Sequence, residues 1–275
     1  MNPAILLVTC CLENSRSIIL DQVIDNIIAQ IPDHSNDVIV FDNASTDDRI
    51  VDRLKRTFKY VHQSDRNVGY WSAIDWWLQS AHFINASRSS YTYIIESDMM
   101  HYAYHAMEEC MQFLDEQPDV GSVRLHEYSI ANCRLYDKDR PVAGSRSGLW
   151  QSHTNKITGH SIKFDHHDLS GKVWRSNFLT QLPALNRLHA MKQVFAQLNV
   201  HGKFTELTFQ QEYWKFYQST GILDGGMYNC DMNPYGSKVI TGSWSDPATL
   251  ERIGYKQTRY ASIVPLGEYK VRLLT

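Results

Sequence analysis

The chain has 275 residues, 43% of them apolar and 21% charged, with a net charge of −3. That length suits one large α/β domain or two small ones, and the near balance of charge argues against a nucleic-acid polymer or an anionic membrane as the main partner. The five cysteines (Cys10, Cys11, Cys110, Cys133, Cys230) include no C-x-x-C pair; this argues against a zinc or disulfide framework and fits a reducing cytoplasm. Met1 to Cys11 is apolar but lacks a basic start, and Glu13, Asn14 and Arg16 follow at once. It therefore reads as a first strand, and with no later apolar run of about 18 residues no transmembrane segment is expected.

Ala4-Ile5-Leu6-Leu7-Val8-Thr9 reads as a buried strand. Leu20, Ile24, Ile27, Ile28 and Ile31 then repeat at helical spacing, with Pro32 as a stop. Val38-Ile39-Val40-Phe41 is a second strand, ending in Asp42-Asn43-Ala44-Ser45-Thr46-Asp47-Asp48. Ile50, Val51, Leu54 and Phe58 mark a helix, and Tyr60-Val61-His62 a short third strand. Asp65-Arg66-Asn67-Val68-Gly69 is a turn in which Gly69 is free to take a positive φ. Trp71, Ile74, Trp77, Leu78 and Ala81 predict the next helix.

Tyr91-Thr92-Tyr93-Ile94-Ile95-Glu96-Ser97-Asp98 follows, a β-branched and aromatic run that ends in two carboxylates one residue apart. Extended geometry turns Glu96 and Asp98 to one side, where they repel unless a cation lies between them, so the pair suits Mg²⁺ or Mn²⁺ holding a phosphate. A helix N-cap made by Ser97 or Asp98 is the alternative. Met107, Cys110, Met111 and Leu114 then line a helix before Pro118, and Val120 to Leu125 is a further strand.

Strands alternating with helices imply βαβ units, a mostly parallel sheet and ligands beyond the carboxyl ends of its strands. The polar clusters at Thr9, Asp42 to Asp48, Asp65 to Asn67 and Glu96 to Asp98 fall there. Neither G-x-G-x-x-G nor G-x-x-x-x-G-K-[ST] is present, so a bound nucleotide would rely on carboxylates and a metal in place of a glycine cradle.

From His126 the alternation breaks down, and residues 126 to 175 are polar and turn-rich. His153, His160, His166, His167 and Asp168 are of metal-ligand type but lack helix-face spacing; they read as solvent-facing, with His166 or His167 beside Asp98 as the metal-binding alternative. Leu182, Leu185, Leu188, Met191, Val194 and Leu198 suggest a helix. Phe209-Gln210-Gln211-Glu212, with Trp214, Phe216 and Tyr217, suggests another. The tail from Gly221 is rich in Gly, Tyr and Ser.

This arrangement resembles the GT-A fold and, within it, the family 2 glycosyltransferases. Val38 to Asp47 is similar to that family's strand followed by D-N-x-S-x-D. Asn67-Val68-Gly69 resembles its N-x-G segment, and Glu96-Ser97-Asp98 its D-x-D metal motif with Glu in place of the first Asp. Gln211-Glu212 resembles its acidic pair opening a helix, with Gln in place of one acid. Val173 to Thr180 resembles the segment placed before that helix.

The resemblance implies a donor half (1–125), an acceptor and catalytic half (126–220) and a tail (221–275) closing on the site, all in one GT-A domain. It implies a nucleotide-diphosphate sugar donor, a carbohydrate or other hydroxyl acceptor, and inversion at the anomeric centre. Thr9, Asp42, Asn67, Glu96 and Arg175 would meet the nucleotide, with Arg175 toward the diphosphate or else in a surface ion pair. Asp98 would hold the divalent cation, Mn²⁺ or Mg²⁺, and Glu212 would be the catalytic base. Tyr and Trp residues at 209–217, with Trp150 and Trp174, would stack on sugars. Two rivals stand beside this reading: a sugar nucleotidyltransferase, for which the glycine-free stretch Thr9 to Arg16 is poorly made, and a GT-A-fold binding protein without catalysis.

Overall fold

The computed structural model describes residues 3–11, 14–80, 89–97, 99–101, 104–125, 164–166, 173–176, 184–198, 206–217, 219–223, 227–229 and 269–274. Its first half alternates as the sequence pattern requires. β1 (Ala4–Thr9) leads through α1 (Asn14–Gln30) and the short α2 (His34–Asp37) to β2 (Val38–Asp42). α3 (Asp48–Thr57), β3 (Tyr60–Ser64), α4 (Tyr70–Gln79) and β4 (Tyr91–Glu96) follow. Asp47 caps α3 by accepting the Arg49 N–H at 3.1 Å, which meets one of the donors a helix start leaves open. Gly69 precedes α4 at φ 81° and ψ 164°, a conformation that only glycine adopts readily.

Beyond β4 lie β5 (Met99–His101), α5 (Met107–Glu116) and β6 (Val120–Leu125). The second half adds β7 (Phe164–His166), β8 (Val173–Ser176), β9 (Ala184–Arg187), α6 (Leu188–Phe195) and α7 (Glu206–Phe216). β10 (Ser219–Leu223), β11 (Met227–Asn229) and β12 (Val271–Leu274) complete the described elements.

Among the described residues ten strands form one sheet in the order β12-β3-β2-β1-β4-β9-β6-β10-β8-β7, and β11 pairs with β5 in a small second sheet. In the large sheet β2, β3, β4, β6, β7 and β10 run with β1, while β8, β9 and β12 run against it. The class is therefore the expected one, a mostly parallel sheet flanked by helices.

Alternation along the strands divides the core into two layers. Ile5, Leu7, Val38, Val40, Tyr93 and Ile95 pack with apolar residues of α1, α3 and α5. Leu6, Val8, Ile39, Phe41 and Ile94 pack on the other side with α4, α6 and α7. Both faces of the central strands are thus buried, which is why those strands are uniformly apolar. Among the described residues no helix is long and apolar enough to cross a membrane.

The leucine run from residue 182 departs from the expected single helix. Ala184–Arg187 is a strand, and only Leu188–Phe195 is helical. β9 fills the gap between β4 and β6 antiparallel to both, with Leu185 opposite Tyr93 and Val123. Ladder partners more than fifty residues away outweigh the local helical spacing. β10 likewise runs across the expected division between residues 220 and 221.

Candidate functional site

The strand order runs outward from β1 through β2 to β3, then returns to the other side of β1 with β4. Open α/β sheets form their ligand crevice where the order reverses in this way, beyond the carboxyl ends of the strands. Here that point lies between Thr9 of β1 and Glu96 of β4. The loops after β1, β2 and β3 border it.

Beneath those loops lies a buried polar knot centred on Asp42, which is fully buried. Asp42 Oδ1 accepts from Thr9 Oγ1 at 3.0 Å and from Ser45 Oγ, and Oδ2 accepts from Gln63 Nε2 at 2.7 Å. Burial pushes the Asp42 carboxyl above its ordinary value, and the donors from Ser45, Gln63 and Thr9 pull against that shift. Ser45 Oγ in turn accepts the Cys11 N–H at 2.8 Å.

Asp42 and Thr9, which the sequence reading sets against a nucleotide, have their polar side-chain atoms hydrogen-bonded to each other, and Asp42 also to Ser45 and Gln63. Their work is to hold three loop stems together. Sequence alone cannot make the distinction, because a carboxylate with several donors suits a ligand contact and a buried knot equally.

The rim is a layer further out. The Asn43 N–H bonds Thr9 O at 2.8 Å, and its Oδ1 accepts the Val68 N–H at 2.6 Å. Asn67 donates from Nδ2 to Cys10 Sγ at 3.4 Å and accepts the Gly69 N–H at 2.9 Å. Cys10, Ala44, Arg66, Asn67, Gly69 and Tyr70 are all half-buried. Ala44 holds φ at 60°, a left-handed conformation that costs a non-glycine residue about 1–2 kcal/mol. The 42–46, 64–69 and 9–11 segments are therefore one cross-tied rim, and Asn67 stands on it. Cys10 and Arg66 also stand there; as a thiol and a turn arginine they carry no motif that would single them out.

Glu96 is half-buried at the end of β4, in register with Val8. Alternation puts it on the α4, α6 and α7 side of the sheet, whereas Thr9 and Asp42 fall on the α1 and α3 side. Asp98 lies outside the described residues, between β4 and β5. Among the described residues no group of three or more His, Cys, Asp or Glu side chains could hold a metal ion. His166 ends β7, five strand positions from β4. At about 4.8 Å per strand that is roughly 24 Å between the two strands. His153, His160, His167 and Asp168 lie outside the described residues.

α7 covers the second face with Phe209, Tyr213, Trp214 and Tyr217 buried in the core. They are packing residues and present no stacking surface to a sugar. Trp150 lies outside the described residues, as does the side chain of Trp174. Phe209 stacks on Trp71, in the first turn of α4, with ring centroids 4.8 Å apart. One turn later the Tyr213 hydroxyl accepts the Gly121 N–H at 2.9 Å and donates to Ser219 O at 3.0 Å, both at the amino ends of their strands. The helix therefore begins near the crevice and runs away from it. Glu212 lies past its middle, paired with Lys215 Nζ at 2.5 Å. Glu206 is the first described residue of the helix.

Arg175 is placed away from the crevice. It bonds Gln117 Oε1 at 2.7 Å and Ser219 Oγ at 3.2 Å, and it pairs with Asp119. These partners sit at the amino ends of β6 and β10, the opposite edge of the sheet from Asp42. The surface ion pair is the reading the geometry supports.

The molecule is an open-sheet α/β protein with a cross-tied crevice at the switch point of its strand order. No protein-family profile matches the chain, and no curated protein matches it by sequence. Among solved structures it is similar to S. aureus TarS 1-349, with 13% identity over 84% of this chain and 61% of that one, at a TM-score of 0.50. That likeness is one of fold. Weaker likenesses include TarS 1-349 in complex with UDP-GlcNAc, with 13% identity over 82% and 56% of the two chains at a TM-score of 0.47. Another is the mannosyltransferase PcManGT from Pyrobaculum calidifontis in complex with GDP-Man and Mn²⁺, with 14% identity over 82% and 55% at a TM-score of 0.45. The chain spans less than two thirds of the length of each.

Proposed function

We propose that the chain is a glycosyltransferase that moves a hexosyl group from a nucleotide-diphosphate sugar to an acceptor hydroxyl, with inversion. The observation that carries this reading is the crevice between β1 and β4, with the Asn43 and Asn67 loops on one flank and Glu96 on the other. The shared fold with TarS, a protein solved with UDP-GlcNAc, supports the same donor class. A sequence whose five cysteines include no C-x-x-C pair fits a reducing cytoplasm.

In this reading the nucleoside lies against the rim of Cys10, Ala44 and Asn67, and the diphosphate lies toward Glu96 and Asp98. A divalent cation bound through Asp98 would neutralise the leaving diphosphate. The acceptor oxygen bonds the anomeric carbon from the face opposite the diphosphate, the bond to the diphosphate breaks, and a carboxylate takes the acceptor proton. α7 supplies that carboxylate. We assign it to Glu206, at the helix end nearer the crevice, in preference to Glu212 as read from the sequence. Asp42, Thr9 and Arg175 take no direct part.

The test is thermal stability against UDP, GDP, CDP, dTDP and ADP with and without Mn²⁺, since a ligand held only by the native state raises the melting temperature. A shift by one diphosphate that needs the metal, and that Asp98→Ala removes, is the expected result. No shift with any of them ends this reading. The pairing of Glu212 with Lys215 favours one other reading, a nucleotide-binding protein without transfer activity; turnover abolished by Glu206→Gln with binding intact would exclude it.

A further inference from the structure

The hydrogen bonds beneath the crevice have a direction, and one of the groups that set it lies on the last strand. Arg272 of β12 donates from Nη2 to Gln63 Oε1 at 2.8 Å. A guanidinium has donors and no acceptor, so Gln63 turns its carbonyl oxygen toward Arg272 and its NH₂ group the other way. That NH₂ group meets Asp42 Oδ2 at 2.7 Å. Asp42 thus accepts on Oδ2, and on Oδ1 it accepts from Thr9 and Ser45. Ser45, its proton directed at Asp42, offers a lone pair to the Cys11 N–H at 2.8 Å. Each link sets the polarity of the next, from the C-terminal strand to the loop after β1.

β12 is fastened at the same edge by several bonds. Asp65 N–H donates to Lys270 O at 2.9 Å, Lys270 N–H donates to Asp65 Oδ1 at 3.2 Å, and the Tyr269 hydroxyl donates to Ser72 O at 3.4 Å. The strand then pairs antiparallel with β3, Arg272 opposite Gln63. It therefore touches both the knot and the 64–69 side of the rim.

We infer that Arg272 is a positioning residue for the crevice: by orienting the Gln63 amide it locks the loops after β1, β2 and β3, so that docking of β12 and binding of a nucleoside diphosphate reinforce each other. This rests on the reading of the crevice as a nucleotide site. Without Arg272 the Gln63 amide is held in its orientation from the Asp42 side alone, and its flipped state becomes more populated. The flipped amide sets Oε1 against Asp42 Oδ2, two acceptors that repel, so the knot opens on that side. The fraction of molecules with a competent rim falls, and affinity falls by that fraction.

Isothermal titration with UDP, GDP, CDP, dTDP and ADP in the presence of Mn²⁺ tests this on the full chain, four single variants and one double variant. Arg272→Ala is expected to bind the preferred diphosphate about ten-fold more weakly, as loss of a charge-assisted bond predicts. Arg272→Lys, which keeps a donor, recovers most of the affinity. Leu273→Ala, on the same strand at 43% exposure, binds as the unsubstituted chain does. In a Gln63→Leu background, Arg272→Ala causes no further loss, because its effect runs through Gln63. The inference is overturned if Arg272→Ala binds normally, if Leu273→Ala weakens binding equally, or if the Gln63 and Arg272 losses add. Should none of the five diphosphates bind the unsubstituted chain with Mn²⁺ present, the nucleotide reading itself fails and takes this inference with it.

Discussion

Asn43 Oδ1 accepts the Val68 N–H at 2.6 Å, joining the loop after β2 to the loop after β3. Both residues are buried, so losing the acceptor strands a backbone donor away from water. Asn43→Ala is expected to cost about 1–3 kcal/mol of stability. Asn43→Asp keeps an acceptor at the same place and should lose much less. Urea unfolding of the two variants checks the difference.

Ala44 and Gly69 hold positive φ values of 60° and 81° on the same rim. Ala44→Gly relieves left-handed strain but loosens the unfolded chain, so it should be neutral or stabilising by up to about 1 kcal/mol. Ala44→Val adds a β-branched side chain where none fits comfortably, and should destabilise by more than about 1 kcal/mol. Gly69→Ala should cost about 1–3 kcal/mol. Opposite signs for the two Ala44 variants, read as denaturation midpoints, are the decisive pattern.

Asp42 makes stability depend on pH with a defined sign. Burial, the largest influence, raises its carboxyl above the ordinary 3.8. A group whose folded value is raised contributes most below its unfolded value and loses that contribution as pH climbs through the folded one. The stability of the unsubstituted chain relative to Asp42→Asn should therefore fall as pH rises from about 4 toward the folded value, and level off above it. Paired denaturation curves across that window measure the slope; a difference that rises with pH would contradict the burial argument.

The two carboxylates of α7 should separate in kinetics. Glu206→Gln is expected to lower turnover by about 10²–10⁴-fold, the usual contribution of a general base, with little change in donor affinity. Glu212→Gln breaks an ion pair with Lys215, whose side chain is 62% exposed. Its cost should stay under about 0.5 kcal/mol, with turnover largely kept. Loss of turnover in Glu212→Gln alone would return the base to the residue expected from the sequence.

Local pattern by itself determined the strands β1, β2, β4 and β6 and the helices α3, α4 and α5, because each carries its signal within about ten residues. Apolar runs bounded by polar clusters need no distant partner to be recognised. The same pattern located the carboxyl-edge loops, and Gly69 announced its own conformation by lacking a Cβ. Tertiary structure alone decided the rest. β9 exists because β4 and β6 leave a space one strand wide, and β12 because β3 offers an edge. Asp42 became an internal fastener, Arg175 a tie at the far edge and the α7 aromatics core, although their residue types suit a ligand equally well. Chemistry states what a side chain is able to bind; which partner it meets depends on strands that the chain brings together from far apart in sequence.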